Sequence, residues 1–356
     1  MTQKSIEKIS TIIWDNFKYN KVLFAISSLW LGHATRTLPV IKYYLNKNIS
    51  INIISDWNAF NFLKQELKDY KNIKFIRLKD YPAIERWEWL MFYIYLMTDI
   101  FSISRLIKEE NRFVKNLDKD FDFIFSDWRY WIYKKWTPSF LLSHQISFIV
   151  PKWLQIFKNI VNNFNYNYFK KFDAIFIPDY ENEDKSLALK LSHSNILKKL
   201  KHYYIWTLSS YSKSENIVKD IDYYFIISWY LKEHKESFVN TLINEAKKLK
   251  GKKVFVLWDT SKNEIKEFKK DNIVIYSSVS SDQRIDFFNR ANIIISRAWY
   301  TTVMDLVANN KKAILFPTKN QTEQEYLSKY LDEKWLFINW WEDNFNLEKL
   351  IDRLNN

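Results

Sequence analysis

Short, continuous apolar runs alternate with amphipathic stretches along most of the chain. In the first half, the runs predict strands at residues 22–26, 51–54, 73–76, 123–126, 139–143, 174–178 and 203–205. Uninterrupted apolar runs of this length are typical of strands buried on both faces of a parallel sheet. Between the first two runs, Ala34, Leu38, Ile41 and Leu45 recur at helical spacing. The pattern therefore predicts strands that alternate with helices.

The same alternation begins again in the second half of the chain. Strands are predicted there at residues 224–227, 254–257, 273–276, 293–295 and 313–316. Helices are predicted between them at residues 233–249 and 282–289. A last amphipathic helix is marked by Leu347, Leu350, Ile351 and Leu354.

Alternation that occurs twice predicts an α/β fold with two doubly wound, Rossmann-like domains facing a central cleft. The first domain is expected at residues 1–206, beginning with a polar lead-in at 1–20. A linker rich in Ser and Lys is expected at 207–220. The second domain is expected at 221–342, followed by a C-terminal helix at 343–356.

Glycine and tryptophan occur at unusual frequencies, because the 356 residues include 2 Gly and 16 Trp. At the usual Gly frequency of about 7%, roughly 25 would be expected. Nine tryptophans stand in or beside turns where glycine is expected: Trp30, Trp57, Trp128, Trp131, Trp206, Trp229, Trp258, Trp299 and Trp335. We interpret this as a gene that uses UGA for glycine and was translated with UGA as tryptophan. The alternative is a Trp-rich protein with an aromatic binding surface, although bulky rings do not favour tight strand-to-helix turns.

Charge and cysteine content restrict the classes of function. The absence of cysteine excludes disulfides and thiolate metal sites, and the five histidines show no metal spacing. The formal net charge of +13 reflects either an AT-rich genome or attraction to an anionic membrane surface, nucleic acid or acidic substrate.

The sequence also bears on localisation. No signal peptide is recognised in residues 1–20. The most apolar window, residues 89–101, is shorter than the ~20 residues of a membrane span and contains Asp99. We interpret this window as a buried or interfacial helix. The expectation is a cytoplasmic protein, with peripheral attachment to the inner face of a membrane as an option.

Two motifs follow predicted strands and lead into predicted helices. With glycine at position 30, residues 27–39 would be SSLGLGHATRTLP. With glycine at position 299, residues 296–306 would be SRAGYTTVMDL, and residues 316–326 follow as FPTKNQTEQEY. Together these motifs resemble the GT-B glycosyltransferases, most closely glycosyltransferase family 28, the MurG-like group that uses UDP-sugars. The resemblance covers nearly the whole chain and is strongest at residues 27–39 and 296–331.

The resemblance implies an inverting transfer of a hexosyl or N-acetylhexosaminyl group from a UDP-sugar, with no metal or other cofactor. The implied acceptor is a sugar, a lipid-linked molecule or another acceptor. The residues implied on the donor side are Ser228, Trp229, Arg297, Trp299, Thr301, Thr302, Asp305, Gln324 and Glu325. The sequence departs from the family pattern in its literal tryptophans and in Glu325, which replaces the second residue of a glutamine pair.

Each donor-side role has a physical reason and an ordinary structural alternative. Thr301 and Thr302 begin a helix whose N–H groups can hold a diphosphate, or they are simple N-terminal caps. Asp305, one turn later, can accept both ribose hydroxyls, or it is a surface charge. Gln324 and Glu325 can read the hydroxyls of the sugar, or they belong to a solvated helix face.

The catalytic candidates lie in the first half of the chain. His33 can take the acceptor proton or hold the diphosphate, because imidazole titrates near neutral pH. Asp127 is an alternative base. The residues expected to line the acceptor side are Trp30, Gly32, His144 and Gln145. A lone histidine and a loop carboxylate are also common structural features.

Two other functions are compatible with parts of the sequence. A nucleotide-sugar epimerase shares the fold, although the GLGHATR-like turn favours transfer. A basic nucleic-acid-binding protein would account for the charge and the aromatic residues. However, the basic residues form no stripe and no nucleic-acid motif occurs, so a nucleic-acid partner is not expected.

Overall fold

The computed structural model of the protein describes most of the chain. The described residues are 1–13, 19–80, 109–110, 112–117, 121–149, 158–214, 217–227, 232–258, 264–319, 321–342 and 344–355. The chain divides into two units, Met1–Ser210 and Tyr211–Asn356. The predicted helix at residues 89–101 lies outside the described residues. Within the described part of the chain, no helix is both long enough and apolar enough to cross a bilayer.

The first unit contains one sheet of seven strands, all parallel, in the order β3-β2-β1-β4-β5-β6-β7. Its elements are α1 Thr2–Ile13, β1 Lys21–Ile26, α2 Leu31–Asn46, β2 Ser50–Ser55, α3 Trp57–Glu66, β3 Ile73–Arg77, β4 Phe123–Asp127, β5 Ser139–Leu142, α4 Lys158–Phe169, β6 Ala174–Ile177 and β7 His202–Tyr204. The central strands are almost wholly buried, as their continuous apolar runs predict.

The second unit contains another sheet of seven strands, in the order β10-β11-β9-β8-β12-β13-β14. Its elements are β8 Ile221–Ile226, α5 Lys232–Lys248, β9 Lys253–Val256, β10 Ile265–Phe268, β11 Ile273–Tyr276, α6 Ser281–Arg290, β12 Ala291–Arg297, α7 Tyr300–Ala308, β13 Lys312–Phe316, α8 Thr322–Glu333, β14 Ile338–Asn339 and α9 Leu347–Asn355. Only β10 is antiparallel to its neighbour among these strands.

The strand order places a ligand-binding edge in each unit. In doubly wound sheets, ligands bind at the carboxyl ends of the strands where the strand order reverses. The reversal falls between β1 and β4 in the first sheet and between β8 and β12 in the second. The segments that follow these four strands are therefore the candidate ligand-binding segments.

Three elements differ from the sequence-based prediction. The lead-in at residues 1–20 contains α1, whose Ile6, Ile9 and Ile13 are buried at helical spacing. The strand β10 was missed because its sequence, IKEF, is neither a continuous apolar run nor an apolar–polar alternation, and all four of its side chains are exposed. The two-residue strand β14 is too short to recognise from sequence.

The first part of the predicted linker at residues 207–220 is packed against the protein. Ser5 Oγ donates to the backbone oxygen of Thr207 at 2.8 Å, and the N–H of Ser209 donates to Thr2 Oγ1 at 3.1 Å. The ring of Tyr211 stacks on Phe288, with 4.0 Å between the ring centroids. The boundary between the two units, after Ser210, falls inside the predicted linker. The residues before it belong to the first unit and those after it to the second, so the range is not a separate segment.

Several tryptophans adopt a backbone conformation that favours glycine. Among the described residues, ten non-glycine residues have positive φ. Five of these ten are tryptophans, at φ 48–62°: Trp57, Trp128, Trp206, Trp258 and Trp335. A bulky residue at positive φ is a genuine outlier, because its Cβ crowds the backbone. All five belong to the nine positions where the sequence predicts glycine.

The other described members of that set are not left-handed. Trp30 and Trp299 are extended, at φ −136° and −70°. Trp131 is 4% exposed and packs edge-on against Tyr168, with 5.1 Å between the ring centroids. The backbone therefore favours glycine at five of the nine positions, and Trp131 occupies a place in the core.

We expect Trp335→Gly to raise the free energy of unfolding of the second unit by about 1 kcal/mol, because it removes a left-handed L-residue. Trp335 is 83% exposed, so little burial is lost. Trp341→Gly is the matched control, because Trp341 is 53% exposed and does not have positive φ. The control should lower stability by about 0.4–1 kcal/mol through chain entropy. Calorimetric unfolding that shows the same sign for both variants would contradict this expectation.

Candidate active site

The first candidate site lies where β1 and β4 end side by side. Ile26 pairs with Asp127 in the parallel ladder, and the N–H of Ser27 donates to the backbone oxygen of Asp127 at 3.0 Å. The chain then turns through Trp30 into α2, and His33 lies in the first turn of that helix. Residues from two distant parts of the sequence therefore meet at the ligand-binding edge.

His33 and Asp127 form a buried pair. His33 Nδ1 lies 2.8 Å from Asp127 Oδ1, His33 is 6% exposed and Asp127 is fully buried. An ionised carboxylate can only accept hydrogen bonds, so this pairing places the ring hydrogen of His33 on Nδ1. The other ring nitrogen, Nε2, then carries a lone pair that can take a proton. The arrangement is that of a general base oriented by a carboxylate.

Arg36 completes this group, and the sequence analysis did not identify it. Its Nε donates to Asp127 Oδ2 at 2.8 Å, and its Nη2 contacts Oδ1. Thr37 Oγ1 also donates to Oδ2, at 2.7 Å. The i, i+3 spacing of His33 and Arg36 on one helix face is the signal that could have found it.

The charge state of Asp127 follows from these contacts. Burial alone raises the pKa of this carboxyl. The charge of Arg36, and then that of His33, outweighs burial and holds the pKa well below its usual value. Asp127 is thus ionised and enclosed by protein donors. It is placed to orient His33, and its burial keeps it from meeting an acceptor as the alternative base.

The residues expected on the acceptor side are only partly brought together. His144 follows β5 and is 6% exposed, and its Nδ1 lies 3.2 Å from Arg36 Nη1. Gln145 is equally buried beside it. Trp30 and Gly32 are partly exposed at the start of α2. His144 therefore joins the group around His33, and the other three lie along the same edge of the sheet.

The second candidate site lies where β12 leads into α7. Its N-cap residue, Trp299, is extended and makes no side-chain capping hydrogen bond. The neighbouring helix α6 is closed by a capping box in which Ser280 and Gln283 satisfy each other's backbone. The N-cap residue of α7 thus supplies no side-chain cap to the first turn, in which Thr301 and Thr302 are partly exposed. Such a helix N-terminus is suited to an anion.

Asp305 lies one helical turn further along α7. It is 9% exposed, so it does not lie on the solvent face of the helix. Its charge is close enough to Tyr211 to contribute to the raised pKa of that hydroxyl, for which burial is the main cause. The surface-charge alternative for Asp305 does not describe this position.

Arg297 is engaged within the protein rather than directed toward a ligand. Its Nη1 lies 2.7 Å from Glu342 Oε2 and 3.3 Å from the backbone oxygen of Pro317. The guanidinium also stacks on the ring of Phe238, 3.9 Å from the ring centroid. Its positive charge is therefore balanced by Glu342.

Two glutamines shape the loop between β13 and α8. Gln324 is fully buried, and its Oε1 accepts from the N–H of Thr318 at 2.9 Å and from Thr318 Oγ1 at 3.1 Å. Gln321 Oε1 accepts from the N–H of Gln324 and caps α8. Within the described part of the chain, neither Nε2 has a hydrogen-bond partner. Both amide nitrogens are therefore buried donors without a partner among the described residues. Glu325 is partly exposed on α8.

Two predicted donor-side residues, Ser228 and Trp229, lie outside the described residues. Among the residues that the structure describes, no group of three or more His, Asp or Glu side chains is arranged to hold a metal ion.

Comparison with known proteins agrees with this architecture. Residues 234–356 match the family described as the glycosyltransferase family 28 C-terminal domain. A comparison with curated proteins found no match. The chain is thus a glycosyltransferase with the GT-B fold, and its second unit carries the family 28 match.

Solved structures of similar fold include three glycosyltransferases. One is UGT89C1 of Arabidopsis thaliana complexed with UDP-L-rhamnose, with a TM-score of 0.64, 13% identity and coverage of 95% of this chain and 89% of that one. Another is LpCGTa in complex with UDP, with a TM-score of 0.61, 11% identity and coverage of 95% and 90%. The third is the spinosyn forosaminyltransferase SpnP, with a TM-score of 0.58, 11% identity and coverage of 95% and 90%. At these identities the likeness establishes the fold.

Proposed function

We propose that the protein transfers a hexosyl or N-acetylhexosaminyl group from a UDP-sugar to an acceptor hydroxyl, with inversion at the anomeric carbon. The observation that carries this proposal is the His33–Asp127 pair at the strand-order reversal of the first sheet. The choice of donor is supported by the family 28 match of the second unit. It is also supported by the UDP-L-rhamnose bound to UGT89C1 and by the UDP bound to LpCGTa.

The proposed reaction is a single displacement. The acceptor oxygen forms a bond to the anomeric carbon while the bond from that carbon to the diphosphate breaks. His33 Nε2 takes the proton of the acceptor hydroxyl, and UDP leaves with the electron pair. Asp127 stabilises the imidazolium that forms, because it already accepts the hydrogen bond from Nδ1.

The leaving diphosphate is assigned to the N-terminus of α7. The N–H groups of its first turn and the positive end of the helix dipole can stabilise the charge that develops on the leaving group. This arrangement requires no metal ion. The donor sugar is assigned to the loop before α8, where the amide nitrogens of Gln321 and Gln324 can donate to its hydroxyl oxygens.

Asp305 is proposed to accept the ribose hydroxyls. We expect Asp305→Ala to weaken UDP binding by roughly 1.5–3 kcal/mol, the range for hydrogen bonds to a charged group. Asp352→Ala is the matched control, because Asp352 is exposed on α9 of the same unit. Asp305→Asn, which keeps the size of the side chain, is the second variant to measure if Asp305→Ala does not fold. Calorimetry that shows unchanged UDP affinity for folded Asp305→Ala protein would remove Asp305 from the site.

We further propose that glycine occupies eight of the tryptophan positions in the natural protein. The positive φ of Trp57, Trp128, Trp206, Trp258 and Trp335 supports five of them. Trp30, Trp229 and Trp299 are supported by the two glycine-containing motifs and by their places after strands. Trp131 is left as tryptophan, because glycine there would leave a cavity that costs about 3–5 kcal/mol.

A further inference from the structure

Arg36 is buried far more deeply than its charge would suggest. It is 1% exposed and lies one helical turn after His33 on α2. A guanidinium in this position must be paired to offset the loss of hydration. Its Nε and Nη2 hold the two oxygens of Asp127 in a two-pronged contact, which fixes the plane of the carboxylate.

This contact decides which nitrogen of His33 carries hydrogen. His33 Nδ1 lies 2.8 Å from Asp127 Oδ1 and 3.0 Å from Arg36 Nη2. A guanidinium has only donors, so bonding to Arg36 would require a bare Nδ1 and a hydrogen on Nε2. A histidine in that form could not take the acceptor proton. Arg36 donates to Asp127 and holds Oδ1 toward the ring of His33. Nδ1 of His33 therefore donates to Oδ1, and Nε2 stays bare.

The contact between Arg36 and Asp127 also changes the electrostatic environment of His33. Among the described residues, Arg36 from α2 and Asp127 from β4 contact its ring, and His144, from the segment after β5, contacts Arg36 in turn. A buried carboxylate alone would favour the protonated imidazole strongly. Arg36 offsets that charge, so the imidazole faces a pair with no net charge.

We propose that Arg36 is a positioning residue that holds Asp127 against His33 and offsets its charge, so that Nδ1 carries the ring hydrogen and Nε2 stays bare. The inference rests on the proposed function, since it concerns the proton that His33 takes from the acceptor. Arg36 also donates from Nη1 to His144 Nδ1, which places the ring hydrogen of His144 on its Nε2. One guanidinium thus gives the two histidines opposite hydrogen positions.

The test is the dependence of kcat/KM on pH in the full chain with glycine at the eight positions. In Arg36→Gln, the uncompensated Asp127 should move the acidic limb of the profile upward by about 1–3 pH units. In Asp127→Asn, loss of the carboxylate acceptor for Nδ1 should lower activity at every pH, and the uncompensated Arg36 should move the remaining acidic limb downward. The double variant should return the limb close to that of the parent. Arg36→Lys keeps the charge, so its limb should stay in place while activity falls at every pH.

An acidic limb that stays in place in both Arg36→Gln and Asp127→Asn would overturn the proposal, even if both variants lose activity. If Arg36→Gln does not fold, the downward shift in Asp127→Asn and its reversal in the double variant decide the matter. His33→Ala separates this inference from the proposed function. Full activity in His33→Ala would reject the base itself, whereas an inactive His33→Ala with unmoved limbs would reject only the role of Arg36.

Discussion

The chain with glycine at its eight proposed positions is expected to bind UDP, whereas the chain with tryptophan at all of them is not. The diphosphate must approach the backbone at the start of α7, directly after position 299. An indole ring at the N-cap adds bulk where the ligand needs the N–H groups. Position 229, which follows the predicted strand at residues 224–227 in the sequence, is expected to act in the same way.

Calorimetric titration of both proteins with UDP checks this expectation. A chain that also carries Trp131→Gly serves as a control, and it should be less stable without binding UDP more tightly. Equal UDP affinity of the tryptophan and glycine chains would refute the glycine assignment and the site built on it. The gene offers an independent test, because UGA codons are expected at the eight positions and a UGG codon at Trp131.

His33→Ala, in the glycine-containing chain, is expected to lower turnover by about 10²–10⁴-fold, the usual range for loss of a general acid–base group. UDP affinity should stay the same, since the nucleotide site is assigned to the second unit. His202→Ala is the matched control in the first unit. His202 lies on β7, and its Nδ1 contacts the backbone oxygen of Leu200 at 2.9 Å.

A small loss of turnover in His33→Ala, or a loss that follows a lower melting temperature, would assign the histidine a structural role. A parallel loss of UDP affinity would place His33 at the diphosphate instead of the acceptor. The combination of intact binding and lost turnover is the result that the geometry of the His33–Asp127 pair predicts.

The doubly wound architecture was predictable because its strands are buried on both faces. The run at residues 22–26 predicted a strand that the structure places at Lys21–Ile26, with every residue after the first fully buried. The exposed strand Ile265–Phe268 could not be found in this way. Its position depends on pairing with β11, which is a property of the sheet and not of the strand's own sequence.

The candidate site was predictable only in part, for a physical reason. His33 was recognisable because it ends a turn that follows a strand. Its partnership with Asp127 was not, because 94 residues separate them and only the parallel pairing of β1 with β4 brings them together. Arg36 and Arg297 illustrate the same limit. Both are arginines near predicted motifs, and tertiary contacts bury each one beside a carboxylate.

Donor binding by the glycine-containing full chain tests the central claim most directly. Calorimetric titration with UDP-glucose and with UDP-N-acetylglucosamine, each followed by displacement with UDP, is the measurement. The account predicts that at least one donor binds saturably, once per chain, and that UDP displaces it. A folded glycine-containing protein that binds neither UDP-sugar nor UDP at millimolar concentrations would contradict the assignment as a UDP-sugar-dependent glycosyltransferase.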